Sequence, residues 1–314
     1  MGKHSWIFIA LLVCLACIAC KDEQSLKRGY IENEDWEGLL GLYDSSPDSL
    51  RAIDVSYINI ALAAQGQLGD RAFNYLQGGP TCLFPDWDRN PTEGEILADI
   101  HYHAGNIALA RRMAFEADEC YSPRHSNRMM KRLVQCALIY EDWIVAEKYI
   151  CYLEREGGKW KEWARSQRRF LNQPEMIEKD EEYGMKRRCI PTDNFIADER
   201  DISSNLKDIM RANPEHRNTV EILGVYYLLA LDFQTFKEFL DEYCGTEILP
   251  ELPRSFAEAA CLLSEMTPGY WKTVGVPVGV YREYVDFKNR MAAGLSPDRY
   301  SGTYWVYVMK LNTI

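Results

Sequence analysis

The stretch Ile96-Leu97-Ala98-Asp99-Ile100-His101-Tyr102-His103-Ala104-Gly105-Asn106-Ile107-Ala108-Leu109-Ala110-Arg111-Arg112-Met113-Ala114-Phe115-Glu116-Ala117 decides the fold. Ile96, Leu97 and Ile100 recur at helical spacing, Gly105 interrupts the pattern, and Ile107, Ala110, Ala114 and Ala117 resume it. The reading is a helix, a glycine turn and a second helix. The alanines stand where the two helices must touch.

Outward from this pair, the same pattern recurs. Upstream, Tyr57-Ile58-Asn59-Ile60-Ala61-Leu62-Ala63 leads to a turn at Gly66 and on to Leu68, Arg71 and Phe73. Downstream, Leu133, Val134 and Ala137 lead to a turn at Glu141-Asp142, then Trp143, Ala146 and Ile150. A fourth unit runs from Leu223-Gly224 and Tyr227 through a turn around Asp232 to Phe233 and Phe236. The turns at Gly66, Gly105 and Glu141 are 39 and 36 residues apart, about one helix pair each. Trp36-x-x-Leu39-Leu40-x-x-Tyr43 has the spacing of a repeat's first helix without the glycine expected after Leu39. With strand patterning sparse, the expected fold is all-α, a tetratricopeptide-like helical-repeat solenoid.

Three helix starts are expected where an N-cap acceptor precedes a glutamate by three residues: Thr92 and Glu95, Asn218 and Glu221, and Ser255 and Glu258. Lys159 to Leu171 reads as a helix with Trp160, Trp163, Ala164, Gln167, Phe170 and Leu171 along one side. Val274-Gly275-Val276-Pro277-Val278-Gly279-Val280 is too rich in Gly and Pro for a helix, which resumes over Tyr281 to Ala293.

The N-terminus carries an address. Lys3 precedes an apolar run from Trp6 to Ala19, then Cys20 and the charged Lys21-Asp22-Glu23. Trp6 to Cys20 spans 15 residues, short of the roughly 17 to 25 that cross a bilayer. A cleaved secretory signal fits better than an anchor helix. Leu15-Ala16-Cys17-Ile18-Ala19-Cys20 resembles a lipobox, which makes Cys20 the expected site of lipid attachment; Cys17 is the competing acceptor. The two-residue spacing of Cys14, Cys17 and Cys20 would suit a cluster or zinc site, but it falls inside the signal. Lys21-Asp22-Glu23 resembles the charged tag that sends Bacteroidetes lipoproteins to the cell surface. The expected location is the envelope, at the outer membrane and surface exposed. The expected organisation is a signal peptide over 1–19, a tether over 20–34, helical repeats over 35–171, an irregular insertion or connection over 172–215, and further helical hairpins with a tail over 216–314.

Composition narrows the partners. With 36 basic and 47 acidic residues the formal charge is −11, which disfavours nucleic acid. Seven cysteines lie beyond Cys20; an odd, dispersed set is not a disulfide scaffold, and Cys120, Cys136, Cys151 and Cys261 read as buried helical residues. His101 and His103 are two apart, whereas zinc sites on one helix use i and i+4; His103 aligns with Ile96 and Ile100 and reads as packed. Asp86-Trp87-Asp88-Arg89-Asn90 begins like a calcium loop, but Pro91 and Leu97 stand where glycine and the bidentate glutamate are required. Asp86, Trp87, Asp88 and Asn90 therefore read as a possible sugar-binding surface, against the simpler reading of Trp87 tucked between repeats. Arg165, Arg168 and Arg169 form a candidate anion patch against an ordinary charged helix face. Phosphate-loop, dinucleotide and nucleophile-elbow motifs are missing, so no catalytic residue, cofactor or metal is assigned.

Several strings in order, Leu68-Gly69-Asp70-Arg71-x-Phe73, Tyr102-His103-x-Gly105-Asn106, Ala114-Phe115-Glu116-Ala117, Ala146-Glu147-Lys148-Tyr149, Pro250 to Cys261 and Thr303-Tyr304-Trp305-x-Tyr307, resemble a Bacteroidetes family of unknown function with helical architecture. The likeness covers about Tyr57 to Tyr307 without 172–212, and it implies no catalytic residues. The resulting expectation is a lipid-anchored envelope scaffold that binds a protein or peptide; the alternative is a surface glycan-binding lipoprotein.

Overall fold

The computed structural model describes residues 26–44, 50–192 and 195–311. Its chain forms two compact units, residues 1–50 and 51–314. Among the described residues the chain is all-helical, with no strand and one isolated bridge between Cys244 and Leu249. Cys20 and the signal segment lie outside the described residues.

In the first unit, α1 (residues 26–33) and α2 (Trp36–Asp44) meet at Glu34, whose φ is 54°. Part of the stretch expected as a tether is thus helical. Asp35 Oδ1 accepts the Gly38 N–H at 3.0 Å and caps α2.

The second unit opens with α3 (Ala52–Ala64) and the single-turn α4 (Leu68–Arg71), which runs into a 3-10 turn at Ala72–Asn74. Then come α5 (Pro91–His103), α6 (Ile107–Glu119), α7 (Asn127–Ile139), α8 (Trp143–Glu156) and α9 (Gly158–Asn172), each packed on the next. Ala98, Ala110, Ala114, Ala117, Ala137, Ala146 and Ala164 have at most a trace of exposure. Small side chains let the helices approach; the isoleucines and leucines around them contribute about 1.5–3 kcal/mol each on burial.

One local device repeats. At Gly105 the N–H bonds back to Tyr102 and that of Asn106 reaches His101 O at 2.9 Å, the double hydrogen bond of a helix ending in a left-handed residue. The same pair of bonds closes Gly66 (to Ala63, with Gln67 on Leu62), Glu141 (Leu138, with Asp142 on Ala137), Leu231 (Leu228, with Asp232 on Tyr227) and Glu34 (Ile31, with Asp35 on Tyr30). Asn106 and Asp232 then cap the following helices through Leu109 N and Thr235 N. Glu141 and Leu231 hold this conformation without being glycine, at φ 58° and 54°.

Where the sequence predicts an irregular insertion over 172–215, the chain forms α10 (Met176–Lys179), α11 (Glu181–Arg188) and α12 (Ile202–Ala212). Lys186 Nζ donates to Tyr102 O at 2.9 Å and Arg187 Nη1 to Ile139 O at 2.9 Å. Both cations sit at helix C-termini, where free carbonyls and the dipole favour them. Tyr183 adds a bond to Gln167 and a ring contact with Phe170. This segment joins the helices by their ends.

The remaining helices are α13 (Arg217–Leu229), α14 (Phe233–Tyr243), α15 (Arg254–Leu263), α16 (Tyr270–Thr273), α17 (Val278–Ala292) and α18 (Tyr304–Leu311). Val278-Gly279-Val280 belongs to α17, contrary to the sequence expectation, because Pro277 stands just ahead of the helix, where no N–H is needed. The expected caps also change. Asn90, not Thr92, caps α5; Asn218 and Ser255 lie inside their helices. Asn218 Nδ2 instead donates to Ala63 O at 2.8 Å, and Ser255 Oγ donates to Gly69 O. Thr219 Oγ1 reaches Ala104 O at 2.9 Å, and Tyr304 and Tyr307 hydroxyls donate to Leu228 O and Leu229 O. Carbonyl ends of α3, α5, α7 and α13 thus receive donors from distant parts of the chain.

Candidate ligand cleft

Arg217 and Glu221 on α13, and Arg254 and Glu258 on α15, are i,i+4 pairs at 2.8 and 2.6 Å near the starts of their helices. In each pair the arginine is partly exposed and the glutamate buried. Each glutamate also reaches the amide end of another helix. Glu221 Oε2 accepts from Gly69 N in α4 at 2.9 Å, and Glu258 Oε2 accepts from Tyr304 N in α18 at 2.8 Å. A carboxylate is well placed there, against unpaired N–H groups at the positive end of a helix. Burial nevertheless pushes both carboxyls above the ordinary range, opposed by those N–H groups and by the arginines.

Each pair borders a recess. The larger, about 390 Å³, is walled by Arg254 and Glu258, by Glu283 of α17, by Arg299 and Tyr300, and by Asn74, with Gly302 and Thr303 at the approach to α18. Arg254 links the carboxylates: its Nε meets Glu258 and its Nη2 meets Glu283 at 2.5 Å. Its backbone N–H is held by Asp70 Oδ1 at 2.7 Å. Tyr300 OH donates to Asp286 at 2.6 Å, and Arg299 lies 3.4 Å from the same carboxylate. The smaller recess, about 140 Å³, lies beside Arg217 and Glu221 and adds Glu215, Glu247 and Glu251 over Val220, Ile248 and Leu249.

None of these residues was expected as a site. The available signal was Arg-x-x-x-Glu at two helix starts, 217 to 221 and 254 to 258. Read locally, the glutamates looked like N3 capping residues. Asn74, Glu283 and Arg299 come from separate segments and have no common sequence pattern.

The expected sugar surface lies elsewhere. Asp86, Asp88 and Asn90 are exposed, and Trp87 is half-buried. A Cβ built on Gly94 would lie 2.8 Å from Trp87 Cζ3 and 2.9 Å from Ala117 Cβ, so the indole occupies the notch left by that glycine. Asn90 accepts from Thr92 N at 3.0 Å. Arg168 is held by Glu154 at 2.8 and 2.9 Å and Arg169 by Asp180 at 3.2 Å, an ion-paired helix face. Trp160 and Trp163 are half-buried beside Lys159 and Lys131, while Phe170 is buried.

His101, not His103, is the buried member of its pair, beside Phe84. The seven cysteines beyond Cys20 are free thiols; Cys151 is half-buried and Cys120 exposed, unlike the expectation, Cys120 because it stands past the last turn of α6 as its C-cap. Among the described residues there is no group of three His, Cys, Asp or Glu side chains that could hold a metal ion, and no helix long and apolar enough to cross a membrane.

No curated protein and no solved structure matches the chain. From residue 2 to residue 311 it matches the model of a family of unknown function, DUF6057, and the chain belongs to that family.

Proposed function

We propose that the protein is a lipid-anchored scaffold of the cell envelope, attached through Cys20, whose tetratricopeptide-like helix pairs hold a protein or peptide partner. The observation that carries this reading is the recurrence of one turn, with the same two backbone bonds, at Glu34, Gly66, Gly105, Glu141 and Leu231. The consecutive packing of α5 to α9 supports it as well. Helix pairs repeated in this way build extended binding surfaces, and the step from fold to binding is one of analogy. Phe115 on α6 and Ile144 on α8 are apolar side chains with half or more of their surface exposed, which makes them accessible positions for a contact probe.

The test has two arms. Cys20→Ala should shift the protein out of the membrane fraction or leave the leader uncut; unchanged processing and detergent partitioning would refute the anchor. Photo-crosslinking residues placed at Phe115 and Ile144 in intact cells should yield a discrete protein adduct. Absence of such an adduct from both positions would count against the scaffold.

A further inference from the structure

We propose that the cleft beside Arg254 and Glu258 binds a neutral glycan, admitting one or two sugar rings. The inference stands apart from the scaffold reading, which rests on the helix turns.

Size comes first. At about 390 Å³ the cleft falls near the lower end of small-molecule sites. Its chemistry is unusual for such a site, since no aliphatic side chain lines it: the walls are arginine, glutamate, asparagine, threonine, tyrosine and glycine. An apolar side chain of a peptide entering here would gain little and would strip water from the polar walls without replacing those hydrogen bonds. The occupant must itself carry many hydrogen-bonding groups.

Charge comes second. Among the lining residues Arg254 and Arg299 stand against Glu258 and Glu283, with Asp286 behind Arg299 as a third carboxylate outside the lining. Arg254 is already paired with both lining carboxylates, and Arg299 faces Asp286. An anion would compete with these carboxylates and a cation with these guanidiniums. A neutral hydroxyl instead donates to a carboxylate and accepts from a guanidinium at once, using lone pairs and N–H groups that the ion pairs leave over. Sugar hydroxyls present this alternation around a ring. The amide of the exposed Asn74 extends it.

The smaller recess supplies the contrast. It has the same Arg-Glu pair, but Glu215, Glu247 and Glu251 unbalance it, and Val220, Ile248 and Leu249 give it an apolar floor. The shared pair therefore serves the fold. Two arginines in the lining and the lack of aliphatic walls mark the larger cleft alone of the two.

Glu283 and Arg299 are the residues to change, because their side chains are 47% and 67% exposed and their removal spares the Glu258 strut. The experiment is titration calorimetry on the full mature chain in detergent with maltotriose, cellotriose, mannotriose, xylotriose and chitotriose, and with trigalacturonate as the charged control. The expected result is binding of at least one neutral trisaccharide, weakened tenfold or more by both Glu283→Ala and Arg299→Ala with melting temperatures unchanged. Three outcomes would overturn the proposal: no neutral trisaccharide bound, binding of trigalacturonate only, or neutral binding insensitive to both substitutions.

Discussion

Gly224 of α13 and the ring of Phe256 of α15 occupy adjoining space so closely that a Cβ on the glycine would lie within the ring's contact radius, 2.7 Å from Cε2 and 2.8 Å from Cε1. Phe256 has no exposure and packs edge-on against Phe236 at 5.3 Å. Gly224→Ala should therefore destabilise by about 2 kcal/mol, since overpacking outweighs the gain of about 1 kcal/mol in helix propensity. Phe256→Leu in the same chain should recover part of the loss. Denaturant midpoints of the two single variants and the double variant measure the coupling.

Glu221→Ala should cost about 2–3 kcal/mol, because it leaves the Gly69 N–H buried without its acceptor and removes the partner of Arg217. Glu221→Gln keeps an oxygen for Gly69 and should cost less. Equal losses in chemical denaturation would contradict the role given to that oxygen.

Acid should destabilise the protein through its buried histidines. Burial lowers His101 and His216 to about 3, with Lys186 adding to the effect at His216. The unfolded chain takes up protons near pH 6.5 while the folded one does not, so stability is lost as pH falls from 6.5 toward 3. Glu221 and Glu258, raised by burial, oppose this at the lower end of that window, because their folded forms hold protons more tightly. His101→Leu should flatten the fall in melting temperature between pH 6.5 and 5. An unchanged slope would show that His101 is protonated in the folded state.

Lys186 gives the opposite limb. Burial lowers its ammonium from 10.5 to about 8, against the pull of Glu182. The cost of keeping it charged is present below pH 8 and relieved as pH rises toward 10.5, a gain of roughly 3 kcal/mol. Lys186→Met should show no such gain. Comparing the two proteins by urea denaturation at pH 7.5 and 9.5 measures it.

Trp87→Ala should destabilise by about 2 kcal/mol, less than a fully buried tryptophan would, because the indole is half-exposed and seated in the Gly94 notch. Gly94→Ala should be destabilising as well, although alanine is the better helix former. A thermal melt of each variant checks both.

The helix turns were legible because each is a local event. The apolar spacing of Ile96 to Ala117 broken by Gly105 is complete within one window of sequence, and Glu141-Asp142 and Asp232 were found the same way. The same local logic misplaces Glu221 and Glu258, whose partners are Gly69 N and Tyr304 N. A glutamate three residues into a helix pattern looks alike whether it bonds its own helix or the amide end of another. The α11 helix was invisible for a different reason. It is polar and buries only Tyr183, Gly184 and Lys186, which is too few for a periodic signal. The cleft depends on Asn74, Arg254, Glu283 and Arg299 arriving from four segments, so only the folded chain brings it together.

The bond from Asn218 to the carbonyl of Ala63 spans 155 residues, and Gly69 waits on Glu221 across 152. At about 5–20 residues per second, the ribosome needs roughly 8 to 30 s to make the distance between them. The α3–α4 hairpin is therefore among the first parts of its unit to be translated, yet it is completed only when α13 has emerged. Until then the C-terminus of α3 and the N-terminus of α4 lack their final partners, and the hairpin must be held by its own contacts alone.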